Sequence, residues 1–377
     1  MTYYSGDDPL GGILFISTGS GGERILSDAY INFRNLRKGE NCFCAINTSS
    51  KDHERVKLLF EERKIAPYKN FLTLTIGGEE LGGYGAGKDK RLGLSAYRAD
   101  RRNVLGQLTK LHKSEKFKIA FTLATLGGGC GSLTLAEISK DIRDVIGLRV
   151  VPICTIPFRR EGALLVGNGV DGLREISKSG LNPLIYDNER MMRFSDSVKD
   201  GVEKVNRNIS LLISNLVDLV EYGGFSNPPI DIIDVTRLIT SQCGAFSVVF
   251  EDNVKKFRNE WRELLEFNFS LESKTIEKAR AFVLFKSRMF PHSITEDVIS
   301  YLRSRYKVDE LIPTTLENGF VGYNIMVMIW GLGIDSIRPK LEPKRRFSEK
   351  LGSLFKRPKV RRQTVFVRLL DHRCEAI

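Results

Sequence analysis

Residues 123–138, LATLGGGCGSLTLAEI, decide the fold of this chain. The apolar run at 119–123, which leads into them, is typical of a buried strand. Residues 134–145 carry apolar side chains every three or four positions, which predicts a helix. Between the two stand residues 127–131, GGGCG. The sequence therefore predicts a strand, a glycine-rich turn and a helix in direct succession.

The glycines of this turn predict a phosphate site. Without Cβ atoms in the way, several backbone N–H groups can point into one space. At the start of a helix these donors and the helix dipole favour an anion, most often phosphate. The alternative is a tight turn that binds nothing. Three consecutive glycines are more than such a turn needs, and this favours phosphate binding.

The length of 377 residues predicts two domains, or one large domain with an extension. The composition, 42% hydrophobic and 28% charged, is ordinary for a globular protein. No apolar run has the length of a membrane-spanning helix, and the first residues lack the pattern of a signal sequence. The six cysteines are scattered, which predicts buried thiols in a cytoplasmic protein rather than disulfides. Cys42 and Cys44 have no second pair at metal-ligand spacing, so no metal-binding residues are predicted.

The net charge of +12 is concentrated at the carboxyl end. The last 40 residues hold 13 Lys or Arg and 4 Asp or Glu, so they alone carry +9. Three prolines predict that residues 336–377 form a linker-like tail. Residues 345–357, RRFSEKLGSLFKR, have the spacing of a basic amphipathic helix, which favours a membrane surface or a partner protein. Packing of the tail on its own domain or on a neighbour is the alternative. Direct nucleic-acid binding is less favoured because aromatic residues are not interleaved.

Two further glycine loops follow predicted strands. Residues 19–22, GSGG, come after the run at 13–18, and residues 82–88, GGYGAGK, come after the run at 71–76. Neither is a standard nucleotide motif, since Arg24 breaks the dinucleotide pattern and Asp89 replaces the Ser or Thr of a P-loop. Strands alternate with helices through this half, which predicts a parallel sheet covered on both faces. The carboxyl ends of such strands are where ligands bind.

A long helix is predicted at 195–222, with apolar residues at intervals of three or four. Its second half is mostly apolar, so we expect it to be buried between two domains. The predicted organisation is a nucleotide domain at 1–194, the central helix and a connecting loop at 195–230, a smaller α+β domain at 231–335, and the tail at 336–377.

Taken in order, these loops resemble the tubulin/FtsZ superfamily of polymerising GTPases, with FtsZ as the nearer branch. LGGGCGS at 126–132 is similar to the family's GGGTGTG loop, and GYGAG at 83–87 is similar to its GLGAG loop. Further matches, in the same order along the chain, are Asn47-Thr48 to NTD, residues 157–162 to PFxxEG, Asn188 to PND, Asn206 in the long helix, Asp231 and Asp234 to NxDxxD, and residues 279–288 to ARGVLVNITGG. The resemblance covers about residues 10–335.

The resemblance implies GTP or GDP with Mg²⁺ as ligands and head-to-tail filaments as the assembly. It implies that Glu161 contacts ribose and that Asn188 and Asn206 contact guanine. It also implies that Asp231 and Asp234 act on the nucleotide of the next subunit, although Asp at this position is equally suited to capping a helix. The residues implied to surround the phosphates are Gly19, Ser20, Gly21, Gly22, Asn47, Gly85, Ala86, Gly87, Gly127, Gly128, Gly129, Cys130, Gly131 and Ser132.

Departures from the family pattern mark a divergent member. Cys130 and Ser132 replace two threonines, and Ser49 replaces the Asp of NTD. Leu165 and Pro229 replace an Arg and an Asn. Because a thiol is a weaker donor than a hydroxyl, nucleotide affinity or turnover is expected to differ from that of the family.

The sequence thus predicts a cytoplasmic FtsZ-like GTPase that forms filaments for cell division or shape, with the tail linking them to a membrane or an adaptor. One alternative is a structural filament protein with little GTPase activity. Another is a plasmid- or phage-type DNA segregation filament. A dinucleotide-dependent oxidoreductase is disfavoured by the broken dinucleotide motif.

Overall fold

A single sheet runs through the described part of the chain. The computed structural model describes residues 11–332, apart from residue 39 and residues 66–69, 240–241, 272–275 and 318–319. Its strands are β1 (Ile13–Thr18), β2 (Cys42–Asn47), β3 (Phe71–Thr75), β4 (Ile119–Thr125), β5 (Arg149–Ile156), β6 (Leu184–Asp187), β7 (Cys243–Glu251), β8 (Ile276–Lys286), β9 (Val308–Leu316) and β10 (Tyr323–Leu332).

Helices cover both faces of this sheet. They are α1 (Gly19–Asn32), α2 (Ser50–Glu62), α3 (Gly78–Leu81), α4 (Lys90–Glu115), α5 (Gly129–Asp141), α6 (Ala163–Lys178), α7 (Asn188–Met192), α8 (Val198–Tyr222), α9 (Ile232–Arg237), α10 (Val254–Asn268) and α11 (His292–Tyr306). The strand order is β3-β2-β1-β4-β5-β6-β7-β10-β8-β9.

The first six strands are parallel, as the alternation of strands and helices predicts. Every residue of β1 is buried, which explains why this strand reads as an uninterrupted apolar run. Because all six strands run the same way, each turn from a strand into a helix lies at the same edge of the sheet. The predicted parallel sheet covered on both faces is confirmed.

The second part of the sheet is mixed. β10 is antiparallel to both β7 and β8, and β8 is parallel to β9. One residue pair, Leu184 with Gly244, joins β6 to β7. The predicted fold class, a parallel sheet and a smaller α+β part joined by a long central helix, is confirmed. The predicted domain boundaries stay predictions, because the sheet is continuous across them.

The central helix α8 packs on both parts of the sheet. Leu212 and Leu216 belong to one apolar core with Phe15 from β1 and Met326 from β10. The helix starts at Val198 rather than at the predicted residue 195, because the hydroxyl of Ser197 accepts a hydrogen bond from the N–H of Asp200 and caps it.

A buried ion pair fixes the end of α8. Nζ of Lys286 in β8 lies 2.5 Å from Oδ2 of Asp218, and both side chains are largely buried. Lys286 also donates to Oδ1 of Asn215 at 2.8 Å. On the other side, Asn35, which precedes β2, donates to Oδ1 of Asp218 at 2.8 Å. The carboxylate of Asp218 thus ties the two parts of the sheet to α8.

Two helices start earlier than the sequence predicts, α1 at Gly19 and α5 at Gly129. Glycine has low helix propensity, so the pattern alone places both starts later. Tertiary packing outweighs that propensity here. A Cβ on Gly21 would lie 2.1 Å from Oγ1 of Thr125, so this first turn of α1 sits directly against β4.

The predicted tail at 336–377, with its amphipathic stretch and Cys374, lies outside the described residues. The other five cysteines are free, and all except Cys42 are buried, as expected of isolated thiols. Within the described ranges, every helix is too short or too polar to cross a membrane.

Replacing Lys286 with Met should lower the free energy of unfolding by about 3–5 kcal/mol, because the carboxylate of Asp218 would stay buried without its partner. Urea denaturation followed by tryptophan fluorescence measures this. Lys178→Met is the matched control: its ion pair with Glu175 is exposed and should contribute less than about 1 kcal/mol. Equal losses in the two variants would contradict the structural role of Lys286.

Candidate nucleotide-phosphate site

The three glycine loops meet in a cavity of about 310 Å³ at the carboxyl ends of β1, β2 and β4. Residues from three separate stretches of the sequence are therefore brought together, as the parallel sheet requires. The cavity is lined by Thr18, Gly19, Ser20, Gly21, Asn47, Thr48, Ser49, Asp52, Tyr84, Gly85, Ala86, Gly87, Lys88, Thr125, Gly128, Gly129, Cys130 and Gly131.

Two helices begin at this cavity with their first backbone N–H groups free of side-chain caps. The side chain of Thr18, before α1, makes no capping hydrogen bond, and Gly128, before α5, has no side chain. Neither helix has an acidic residue in its first turn. Both helices are long enough, at 14 and 13 residues, to have a full dipole. The positive ends of the two helix dipoles make the cavity suitable for an anion.

The neighbouring helices are capped differently. Oγ of Ser49 accepts from the N–H of Asp52 at the start of α2, and Oδ1 of Asp89 accepts from the N–H of Arg91 at the start of α4. Asp89, which breaks the P-loop pattern, is thus a helix cap. Only the α1 and α5 termini remain for a ligand among the helix starts that line the cavity.

The third glycine loop is held in place by a close contact between α4 and α5. A Cβ on Gly93 would lie 2.5 Å from the carbonyl oxygen of Gly129 and 2.7 Å from Cα of Cys130. Only glycine permits this approach. Because α4 lies against the first turn of α5, the loop that precedes α4 closes over the cavity. Lys88, at the end of that loop, is the one cation among the described lining residues.

Cys130, in the first turn of α5, lies beside the loops that follow β1 and β2. Its thiol is buried, and Thr48 and the backbone of Gly19 lie close enough to lower its pKa by a smaller effect than burial. Burial raises the pKa of this thiol to about 12, so it stays protonated at neutral pH. The side chain that replaces a family threonine therefore connects α5 to the loops after β1 and β2.

Three of the predicted phosphate residues lie outside the cavity lining. Oγ of Ser132 is fully buried and donates to the carbonyls of Leu126 and Gly128, so it closes the turn. Gly22 packs against the backbone of Leu123. Gly127 faces Pro157 and Leu165.

A buried polar network lies beside the cavity. Oδ2 of Asp52 accepts from Oγ of Ser20 at 2.5 Å and from Nδ2 of Asn47 at 3.3 Å. Nδ2 of Asn47 also donates to Oε2 of Glu23 at 2.8 Å, and Oε1 of Glu23 lies 2.6 Å from Nδ1 of His53. Glu23 is 1% exposed. Glu23, Asp52 and His53 were not predicted from the sequence; the one available signal was the position of α2 directly after Asn47.

The residues expected near ribose and base lie apart from this cavity. Asn206 lines a larger groove of about 1050 Å³ between α1 and α8, which Asp28 lines as well. Burial raises the pKa of Glu161, whose Oε1 accepts from the N–H of Phe158 at 3.1 Å. Oδ1 of Asn188 is buried and finds no hydrogen-bond partner among the described residues. Their roles remain predictions.

Asp231 and Asp234 lie at the opposite edge of the sheet. Nζ of Lys118, the residue just before β4, donates to Oδ2 of Asp231 at 2.7 Å. Arg149, the first residue of β5, donates to Thr236 in α9. At about 3.3 Å per residue, the seven residues of β4 separate these aspartates from the glycine loops by roughly 20 Å.

The two aspartates also cap α9. The carboxylate of Asp231 accepts from the N–H of Ile233, and the carboxylate of Asp234 accepts from the N–H of Asp231 at 3.1 Å. Oδ1 of Asp234 lies 3.2 Å from Nη1 of Arg237, and the Asp234 side chain is 34% exposed. The capping interpretation is therefore correct as a description of their contacts, and both carboxylates still reach solvent.

No family model matches the chain. Among curated proteins it is similar to the tubulin-like protein CetZ2 of Haloferax volcanii, with 28% identity over 170 residues, which is 45% of this chain and 47% of CetZ2. It is also 23% identical over 242 residues to the cell division protein FtsZ of Aquifex aeolicus, covering 62% of each. The chain spans about half the length of the CetZ relatives it matches.

Solved structures show the same fold. CetZ2 from Haloferax volcanii, a GTPγS-bound protofilament, has a TM-score of 0.73 at 18% identity, with 90% of this chain and 99% of CetZ2 covered. The empty FtsZ dimer of M. jannaschii has a TM-score of 0.67 at 18% identity, with 85% and 88% covered. TubZ of Clostridium botulinum phage c-st has a TM-score of 0.63 at 16% identity, with 90% and 98% covered. In sequence and in fold, the chain therefore resembles the CetZ and FtsZ proteins of the tubulin superfamily, at low identity.

Proposed function

We propose that this chain is a GTP-binding cytoskeletal protein that assembles head to tail and hydrolyses GTP at the junctions between subunits. The observation that carries the proposal is the separation of the glycine-loop cavity from Asp231 and Asp234, which lie at opposite edges of the sheet. Neither half is complete alone, and stacking one subunit on the next brings the two together.

The cavity is suited to the phosphates of a nucleotide. Two uncapped helix starts and the loop amides supply donors, and Lys88 supplies a positive charge. Relatives with this fold have been solved with guanine nucleotides: CetZ2 as a GTPγS-bound protofilament and CetZ1 as a GDP-bound monomer, both from Haloferax volcanii. These relatives support GTP and GDP as the ligands of this chain.

The carboxylates of Asp231 and Asp234 would orient a water molecule for attack on the γ-phosphate of the neighbouring subunit. The glycine-loop amides would stabilise the charge that develops on the transferred phosphoryl group. Magnesium, bound with the nucleotide, would neutralise part of the phosphate charge. A contact between two different faces that does not close on itself produces an open filament.

Exposed apolar side chains at both edges support such a contact. At the glycine-loop edge, Tyr84 is 82% exposed and Leu164, in the first turn of α6, is 61% exposed. At the other edge, Phe225, Met289 and Val321 are all at least 75% exposed. These three residues lie on neighbouring loops. The loop after α8, which holds Phe225, pairs with the end of β9, and β8 ends beside β9. Met289 follows β8, and Val321 follows β9.

A filament that binds nucleotide without hydrolysing it is the second candidate. Asp231 and Asp234 are already engaged with Lys118 and Arg237 as well as with the backbone of α9. To orient a water molecule in the neighbouring subunit, either carboxylate would have to give up these contacts and form new ones across the junction between subunits. Phosphate release therefore separates the two candidates, whereas assembly is common to both.

Replacing Gly128 with Asp should weaken binding of GTPγS by about tenfold or more, because a carboxylate would stand among the phosphate donors. The fold should tolerate it: Gly128 has φ −80° and ψ 173°, and its Cβ would meet only the carbonyl oxygen of Thr125, at 3.9 Å. Gly128→Asn is the matched control, since Asn and Asp cap helices about equally well. Titration with fluorescent GTPγS measures the affinity. Equal affinities in the two variants would argue against phosphate in this cavity.

Replacing Asp234 with Asn should leave GTPγS binding intact and slow phosphate release by about 100-fold or more, the usual contribution of a general base. Gly128→Asp should also release phosphate slowly at GTP concentrations below its weakened affinity, although its Asp234 is intact. At such concentrations a mixture of the two variants should be more active than either alone, because some junctions then combine an intact cavity with an intact Asp234.

Phosphate release by the mixture, compared with each variant alone at the same total concentration, measures this rescue. A mixture no more active than its components would contradict catalysis across the junction. Full activity of Asp234→Asn would contradict the role of this carboxylate.

Replacing Phe225 with Ser should raise the critical concentration for GTP-dependent pelleting by about tenfold, since burial of an aromatic side chain at a junction contributes about 1.5–3 kcal/mol. Leu58→Ser is the control, because Leu58 is 59% exposed in the middle of α2, away from either edge. A shift of the same size in both variants would place the contact elsewhere.

A further inference from the structure

Asp52 is the one carboxylate among the described residues that line the glycine-loop cavity. It lies in the first turn of α2, and its side chain is 23% exposed. Everything else about this cavity attracts an anion. A carboxylate among helix starts and glycine amides would repel a polyphosphate unless a cation stood between them.

The carboxylate is held in a defined position. Oδ2 accepts from Ser20 at 2.5 Å and from Asn47 at 3.3 Å. Asn47 is fixed in turn by Glu23, whose other oxygen contacts His53. Three of these supporting side chains, Asn47, Glu23 and His53, are buried, so Asp52 has a preorganised orientation at the cavity wall.

The remaining partner of Asp52 does not neutralise it. Arg55 lies 3.6 Å from Oδ1, but the Arg55 side chain is 81% exposed. Such a surface pair contributes little and is screened by salt. Asp52 thus has hydrogen-bond donors on its buried side and carries its negative charge into the cavity.

The donors present fit a hard divalent cation. The Asp52 carboxylate and the Ser20 hydroxyl offer oxygen atoms, and Mg²⁺ prefers oxygen ligands, typically one or two carboxylates together with phosphates and water. Where the family has an Asp, this chain has Ser49, which carries no charge. Its hydroxyl caps α2. Asp52 is the next oxygen ligand along the chain that faces the same cavity.

We propose that Asp52, supported by Ser20, holds the divalent cation that accompanies the nucleotide in this chain. The proposal rests on the proposed function, since it requires a phosphate ligand in the cavity. It assigns to the first turn of α2 a role that the resemblance does not imply. It also explains the buried Glu23–His53 pair as support for the cation site through Asn47.

The test is the Mg²⁺ dependence of GTPγS affinity for the full chain and for Asp52→Asn. In the wild type, affinity should rise with Mg²⁺. In Asp52→Asn, the Mg²⁺ concentration at half-effect should increase by about tenfold or more, the scale on which changes around a metal ligand act. In EDTA, Asp52→Asn should bind GTPγS at least as tightly as the wild type, because the repulsion between carboxylate and phosphate is gone.

The behaviour in EDTA separates a cation role from a structural one, since a distorted cavity would weaken binding with and without Mg²⁺. Glu54→Gln is the matched control: it removes one negative charge two residues further along α2, at an exposed position, and should leave both curves unchanged. Binding of Mn²⁺ with GTPγS, followed by electron paramagnetic resonance, gives a readout that does not depend on turnover.

The outcomes distinguish this inference from the function on which it rests. If the wild type binds no GTPγS at any Mg²⁺ concentration, the proposed function fails and this inference fails with it. If the wild type binds and Asp52→Asn keeps the same Mg²⁺ dependence, only the assignment of Asp52 is overturned. Weaker binding in EDTA would likewise overturn it in favour of a structural role.

Discussion

Parallel pairing of β1 through β6 is the constraint on which the site depends. It places every strand-to-helix turn of this half at one edge, so glycine loops that are far apart in sequence converge there. The same pairing places Lys118 and Arg149, at the amino ends of β4 and β5, at the other edge, where they hold α9. One sheet direction therefore creates two chemically different faces, one with free amides and one with carboxylates.

Much of this arrangement could be predicted from the sequence. β1 has the bounds that the apolar run at 13–18 indicates, because a strand buried on both faces contains few polar interruptions. β9 was missed since it contains Pro313 and two adjacent polar pairs, Asp309-Glu310 and Thr314-Thr315, which hide the alternation expected of a strand. α10 was missed although Phe257, Trp261 and Leu265 recur at helical spacing, so there the signal was present.

The site was predictable only as far as local sequence determines it. A run of glycines indicates accessible backbone N–H donors, so the three glycine loops could be recognised directly from the sequence. In the network of Glu23, Asn47 and His53, Glu23 lies 24 residues from Asn47 and 30 from His53, so these side chains meet only after β1 and β2 pair. The hydroxyl of Ser132 is hydrogen-bonded to carbonyl groups of the preceding turn, so its inward orientation becomes visible only once the conformation of that turn is known.

Cys130 gives this cavity a chemical property of its own. Only thiolates react readily with alkylating reagents, and a buried thiol whose pKa is raised to about 12 is both shielded and protonated. Labelling at neutral pH then requires the loops around Thr48 and Gly19 to separate first. The rate of modification of this one side chain therefore reports how often the cavity opens, and any ligand that bridges the loops slows it.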